Sequence, residues 1–360
     1  MKNNSEIAIV YPMSKEFVEI IKYRKMLENY EKLIPVSFIG QSVENRDVGE
    51  LVKGSHIGIE ITSDFEKKIL DATEIIFTEF SDIVYEKIMY SIEKKKNIVC
   101  LCELEHGVEE KIIQKCKEKG LIYKNYCKLS ETYPELKENR LKQVCAPILL
   151  ICGLSEYTNK FELQLKIRNE FIRRGYSVSQ VGSRKYSSLF GMHNFPQFMF
   201  DDIQDSEKIY LFNSYVKQIE DKENPDIIII GVPGGVMPYD ADHPNGFGIV
   251  NYLVSNALNV DYALLSLSYN EYDESFWNFV INYMKFRYEY PVQSFHLTNI
   301  FHDIYGDERN DRERLIYINQ KKVEEKIKTF ARKDIFSLNN EEIFISKIDE
   351  IIDYLSLIHI

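Results

Sequence analysis

Short, mostly apolar runs recur along this chain, and helical periodicity follows most of them. The runs lie at 7–12, 74–79, 97–102, 148–152, 226–231 and 262–269. A strand with one wet face alternates apolar and polar residues. A strand that is apolar at successive positions is covered on both faces. Such strands, separated by amphipathic helices, predict parallel sheets with helices on each side. The chain has 360 residues, 44% of them hydrophobic, which is enough for two domains with cores of their own.

In the first half, strands are expected at 7–12, 35–40, 57–61, 74–79 and 97–102, with an edge strand at 121–124. Helices are expected at 16–30, 65–72, 83–94 and 107–119. A polar run at 132–143, interrupted by Pro134, reads as the linker between a first domain (1–131) and a second (144–360). The second opens with strand 148–152, a loop, and a helix over about 161–174. Gly175 stands where a helix-ending glycine belongs. Further strands are expected at 176–183, 262–269, 292–299 and 313–319. One more, beginning near 225, runs into a glycine-rich loop that ends at 238. Helices are expected at 206–221, up to about 330, and at 341–357.

The net charge of −11 offers no basic face to a phosphate backbone, so nucleic acid is not an expected partner. No run approaches the length of a membrane span. The opening residues MKNNSEIAIVYP lack the apolar core and cleavage site of a signal peptide. The expected location is the cytoplasm, with the six cysteines, all between Cys100 and Cys152, as thiols.

The strongest functional signal is GLSEYTNKF, Gly153 to Phe161, between a buried strand and an amphipathic helix. A loop of that shape gathers backbone N–H groups at a helix start, and a lysine adds a point charge for an anion. The pattern it approaches is glycine, about five residues, glycine, lysine, then serine or threonine, whose hydroxyl holds Mg²⁺. Here Asn159 takes the second glycine position, Lys160 is kept, and Phe161 takes the hydroxyl position. An ordinary strand-to-helix turn that happens to contain lysine would look the same. The strand from Asp226 leads to Gly231, Gly234 and Gly235, with glycine where a metal-binding carboxylate would close the strand. Gly153, Asn159, Lys160, Gly234 and Gly235 are the candidate anion site. ATP or GTP is the candidate ligand and Mg²⁺ is not expected.

Weaker candidates surround it. Asp240, Asp242 and His243 have metal-ligand chemistry, but a polar turn would also use them. His193 is a candidate companion. Cys100 and Cys102 alternate on an expected strand, so they should face opposite sides, and no zinc or iron–sulfur spacing occurs. Ser14 follows the first strand and is placed to cap a helix. No dinucleotide fingerprint is present.

Residues 148–269 resemble the dethiobiotin synthetase-like group of P-loop proteins. Over nearly its whole length the chain resembles the clostridial peptide maturation system proteins. The segments that carry this are YPMSKEF, SHIGIEITSDFEKKILDATEIIF, KNIVC, GLSEYTNKFELQL, SVSQVGSR, FGMHNFP and GVPGGVMPYDADHPNGFG. The resemblance implies an α/β chain of two parallel-sheet, three-layer domains, the first Rossmann-like and the second a degenerate P-loop NTPase-like domain. It also implies an accessory role in making a ribosomal peptide natural product, with a precursor peptide or a radical-SAM maturase as partner. It identifies no catalytic residue. The alternative is a nucleotide-dependent, carboxylate-activating enzyme of the dethiobiotin synthetase kind.

Overall fold

The computed structural model describes residues 6–128, 134–136, 139–238, 248–303 and 314–358. It divides into two units, Met1–Ser130 with Lys185–Gly191, and Glu131–Arg184 with Met192–Ile360. Residues 185–191, which fall in the second half of the sequence, thus group with the first unit.

The first unit contains β1 (Glu6–Tyr11), α1 (Val18–Lys22), β2 (Tyr30–Pro35), α2 (Phe65–Lys68), β3 (Glu74–Phe77), α3 (Asp82–Glu93), β4 (Asn97–Cys100), α4 (His106–Glu118) and β5 (Tyr123–Asn125). Its sheet is parallel throughout, in the order β2-β1-β3-β4-β5. That is one of the two common doubly wound orders. Ile9, Ile75 and Ile98 share one face of the sheet and pack with Val84, Ile88 and Ile92 of α3 and Ile112 of α4. Ala8, Val10, Ile76 and Val99, one residue out of phase, are also fully buried. Successive side chains of a strand point to opposite faces, so the continuous apolar runs are explained by burial on both.

Three expectations change here. The helix expected at 16–30 is a 3₁₀ turn (Lys15–Phe17), the short α1 and a second 3₁₀ turn (Arg24–Met26). Strand β2 begins at Tyr30 and ends at Pro35, where an edge position tolerates a missing N–H. Residues 57–61 are not a sheet strand. The Asp47 carboxylate accepts from the amides of Ile57, Gly58 and Ile59 at 2.7–3.0 Å, occupying donors that a ladder would use.

The second unit contains β6 (Ile148–Gly153), α5 (Lys160–Arg173), β7 (Val178–Gly182), β8 (His193–Asn194), α6 (Asp205–Glu223), β9 (Ile227–Gly231), α7 (Ile249–Ala257), β10 (Tyr262–Leu267), α8 (Glu274–Tyr288), β11 (Val292–Leu297), β12 (Ile300–Asp303), β13 (Arg314–Tyr317), α9 (Gln320–Thr329), β14 (Ile335–Phe336) and α10 (Glu341–Ile358). Seven parallel strands run β14-β11-β10-β6-β9-β7-β8, and β12 and β13 form a separate antiparallel pair. Ile148, Leu150, Ile228, Ile230, Ala263 and Leu265 meet α6, α7 and α8 on one face. Leu149, Ile151, Ile227, Ile229 and Leu264 meet α5 and α10 on the other. The two alternating sets define three layers.

After β6 the chain crosses by α5 to β7, on the far side of β9. After β9 it crosses by α7 to β10, on the other side of β6. The loops that leave the carboxyl ends of these neighbouring strands therefore diverge. Such a switch point is where open α/β sheets leave a crevice.

Candidate functional site

Gly153, Lys160 and Gly234 of the expected site lie at the switch point between β6 and β9. Gly153 ends β6 and Lys160 begins α5. Between them Tyr157 and Asn159 adopt left-handed backbone, φ 55° each. Asparagine visits that region more readily than most residues, which explains how it replaces glycine at the α5 N-cap. The Asn159 amide donates to Glu162 Oε2 at 2.5 Å.

The loop is tied on two sides. The Leu154 N–H donates to Ser266 O of β10 at 2.8 Å, and the Val236 N–H donates to Gly153 O at 2.9 Å. Ser266 Oγ donates to Thr158 O at 2.7 Å and contacts His296 Nδ1 of β11, also at 2.7 Å. With the serine proton directed at a carbonyl, Nδ1 carries the proton toward Ser266. Burial holds the His296 pKa down at about 4, so the ring is neutral at pH 7.

Lys160 is 9% exposed, and its Nζ donates to Gly234 O at 2.6 Å. Burial first, and then the like charge of Arg184, pull its pKa down to about 8, against the opposing pull of Glu156. A Cβ on Gly153 would lie 2.4 Å from Thr158 Oγ1, 2.6 Å from Ser155 O and 3.4 Å from Lys160 Nζ. Only glycine leaves room for that approach. Thr158 is fully buried, and its hydroxyl has no partner among the described residues.

The two departures from a metal-binding loop have different structural expressions. Phe161 is 2% exposed, so its position is given over to packing. Gly231 faces the side chain of Gln164, and a Cβ there would lie 2.0 Å from Gln164 Oε1. Gln164 is fully buried, accepts from the Ser183 N–H at 3.0 Å and donates to Ser183 Oγ at 2.9 Å. The carboxamide therefore fills the space that a carboxylate at the end of β9 would occupy. These residues do not fit a magnesium ion. Among the described residues no group of three or more His, Cys, Asp or Glu could hold a metal.

Gly153, Asn159, Lys160 and Gly234 are brought together; Gly235 O accepts from Asn251 Nδ2 at 3.4 Å. Asp240, Asp242 and His243 lie outside the described residues. Asp226 sits just before β9, at the end away from Gly231, and its Oδ2 accepts from Ser177 N and Oγ at 2.7 Å. His193 pairs with Glu223 at 2.7 Å. Ser14 precedes the first 3₁₀ turn but makes no side-chain cap.

The cysteine expectation is corrected: residues two apart on a strand share one face rather than facing opposite sides. Strand β4 stops at Cys100, Cys102 follows in a bend, and the two thiols come within hydrogen-bond reach. The Cys102 thiol, with burial after it, pushes the Cys100 thiol well up, and burial pushes Cys127 up to about 12. Raised in this way, the Cys100 and Cys127 thiols stay protonated at neutral pH.

Sequence reading missed Gln164, Thr158 and Arg184. A usable signal existed for the first: Gln164 is polar between Leu163, Leu165 and Ile167 on a helix that buries its first turns.

No protein-family model matches the chain, and no curated protein matches it in sequence. Among solved structures, a DUF1611 family protein from Anabaena variabilis ATCC 29413 is similar with a TM-score of 0.65. The likeness covers 99% of this chain and 100% of that one at 10% identity, and so shows the shared fold alone. Two further structures match much less well. The signal recognition particle 54 kDa protein from Aeropyrum pernix K1, in complex with GDP, has a TM-score of 0.33 at 14% identity, over 77% of this chain and 60% of that one. Chloroplast FtsY from Physcomitrella patens has a TM-score of 0.29 at 15% identity, over 79% of each chain. Scores this low carry no argument. Among the described residues no helix is long and apolar enough to cross a membrane.

Proposed function

We propose that this chain is an accessory protein of a ribosomal peptide natural-product maturation system that binds a phosphorylated ligand without hydrolysing Mg-NTP. One observation carries the binding half of the reading. Lys160 stands at a strand-loop-helix switch point, while Phe161 is buried in the hydroxyl position and Gln164 fills the space beside Gly231. Phosphoryl transfer in related loops relies on a metal to neutralise the developing charge. An anion site that keeps the lysine and fills the carboxylate's space is suited to holding a ligand rather than cleaving it.

The pathway half rests on the whole-length resemblance to peptide maturation system proteins. It makes a precursor peptide or a radical-SAM maturase the proposed partner. The test is steady-state turnover of ATP and GTP with Mg²⁺ by the purified chain. The expected result is no turnover above a Lys160→Ala control. Robust hydrolysis that disappears in Lys160→Ala would overturn the reading.

A further inference from the structure

At the open edge of the first sheet, two parallel segments separate at Pro35. On one side of that residue they are paired: the Thr62 N–H donates to Pro35 O at 3.1 Å, and the Ser37 N–H donates to Thr62 O at 2.8 Å. One step further back, the same ladder would join the Glu60 N–H to Leu33 O and the N–H of residue 35 to Glu60 O. Proline has no N–H to give, and neither bond is formed. The backbone groups concerned nevertheless face each other. Val36 directs its N–H and C=O to β1, through Val10 O and the Met13 N–H, so Leu33 and Pro35, out of phase with it, face the open edge. Arg46 and Asn45 hold the N–H and C=O of Ile61, and Val48 holds Ile59 O, so Glu60 between them presents its own to β2. Leu33 and Glu60 thus each keep an N–H and a C=O that bond nothing among the described residues.

A cavity of about 360 Å³ lies in this gap, walled by residues 32–35 and 59–62, with Asn45, Lys68 and Asp71 completing it. Leu33 is 4% exposed, so a partner for its backbone has to come through the cavity. Backbone groups buried without a partner are costly, which favours an occupant that bonds them. The lining holds two lysines, Lys32 and Lys68, and two acids, Glu60 and Asp71, so net charge selects nothing. Hydrogen-bond geometry does. The occupant must be slim and must offer donors and acceptors to both walls, as an extended peptide backbone does. The walls converge where Pro35 meets Thr62, so a chain can enter by its end but cannot pass through. At that narrow end Glu60 O faces a proline that cannot donate to it, so the leading group has to be a donor. We propose that the gap binds the amino-terminal end of an extended peptide, its leading amine bonded to Glu60 O and the following amide groups paired with Leu33. The site uses no residue of the Lys160 loop and is independent of the ligand-binding reading above.

Nuclear magnetic resonance of the full, isotope-labelled chain tests this with three probes: trialanine amide, its N-acetyl derivative, and trialanine amide methylated at its backbone nitrogens. The first is expected to bind at millimolar concentration and to shift the amide signals of Leu33 and Glu60. Acetylating the amine, or methylating the amides, is expected to weaken binding at least about tenfold. Pro35→Val supplies the missing N–H and lets the ladder close from Thr62 to Glu60. It should weaken the first probe by a similar factor and slow hydrogen exchange at the Glu60 amide. If Pro35→Val does not fold, the free and acetylated probes on the wild-type chain decide the matter. Equal binding of those two probes would overturn the proposal. So would undiminished binding by a folded Pro35→Val, shifts that leave Leu33 and Glu60 unmoved, or no binding of the first probe at all.

Discussion

A Cβ built on Gly231 would lie 2.0 Å from Gln164 Oε1 and 2.2 Å from its Cδ, so the two positions share one volume. Gly231→Asp should therefore cost about 2–4 kcal/mol, combining overpacking with a buried charge. In a Gln164→Ala background the added cost should fall by at least about 1 kcal/mol, because the space has been vacated. Urea denaturation of both single variants and the double variant measures the coupling; strictly additive costs would show that the volumes are separate. Asp47 is a second residue-scale device. Its carboxylate accepts four backbone N–H bonds, from Gly49, Ile57, Gly58 and Ile59. Burial alone would raise its pKa, but the four donors outweigh burial and hold it below the usual carboxylate value. A depressed folded-state pKa contributes stability that is fully present above the unfolded value near about 4 and is lost as pH falls through the folded value. Asp47→Asn should cost about 2–4 kcal/mol at pH 7. It should also flatten the wild-type decline in stability below about pH 4, read from denaturation midpoints across pH.

Helix α8 shows why an element can escape the sequence. In α8 the buried residues Trp277, Val280, Met284 and Tyr288 follow helical spacing, but Phe279 and Phe286, 53% and 77% exposed, fill in the opposite face. Exposed aromatics erase the contrast on which a periodicity argument depends. The start of α8 was legible in principle. Asp273 caps it, accepting from the Phe276 N–H at 2.8 Å, and Asp273→Ala should cost about 1 kcal/mol in chemical denaturation. The expected helix at 16–30 failed for the opposite reason. Its apolar spacing suits a helix, yet pairing of β2 with β1 from Tyr30 onward takes the end of that stretch into the sheet. Helix α10 was legible in full, because Phe344, Ile348, Ile351 and Leu355 form a clean stripe covering one sheet face. Phe344→Ala should cost about 3–5 kcal/mol by leaving a cavity beside Phe336.

Each unit encloses its own apolar core, so heat unfolding should not be a single two-state event. Differential scanning calorimetry is expected to resolve two transitions. Phe344→Ala should lower only one of them and Ile88→Ala, in the core of the first unit, only the other. Both variants shifting a single shared transition would contradict this. The parallel α/β class was legible in sequence because a strand covered on both faces cannot alternate, and runs such as 227–230 or 148–152 have no other economical use. The loop at Gly153 was legible too, since glycine, lysine and helix start are local features. Local sequence could not say what filled the places left by the missing hydroxyl and carboxylate. That was decided by packing between elements distant in sequence: Gln164 of α5 against Gly231 of β9, and Ser183 after β7 holding the same amide. The sequence by itself determined that two parallel sheets would form and that a lysine would stand at a strand end. Only the tertiary structure decided that Gln164 fills the space beside Gly231, because close packing joins side chains whose spacing along the chain carries no signal.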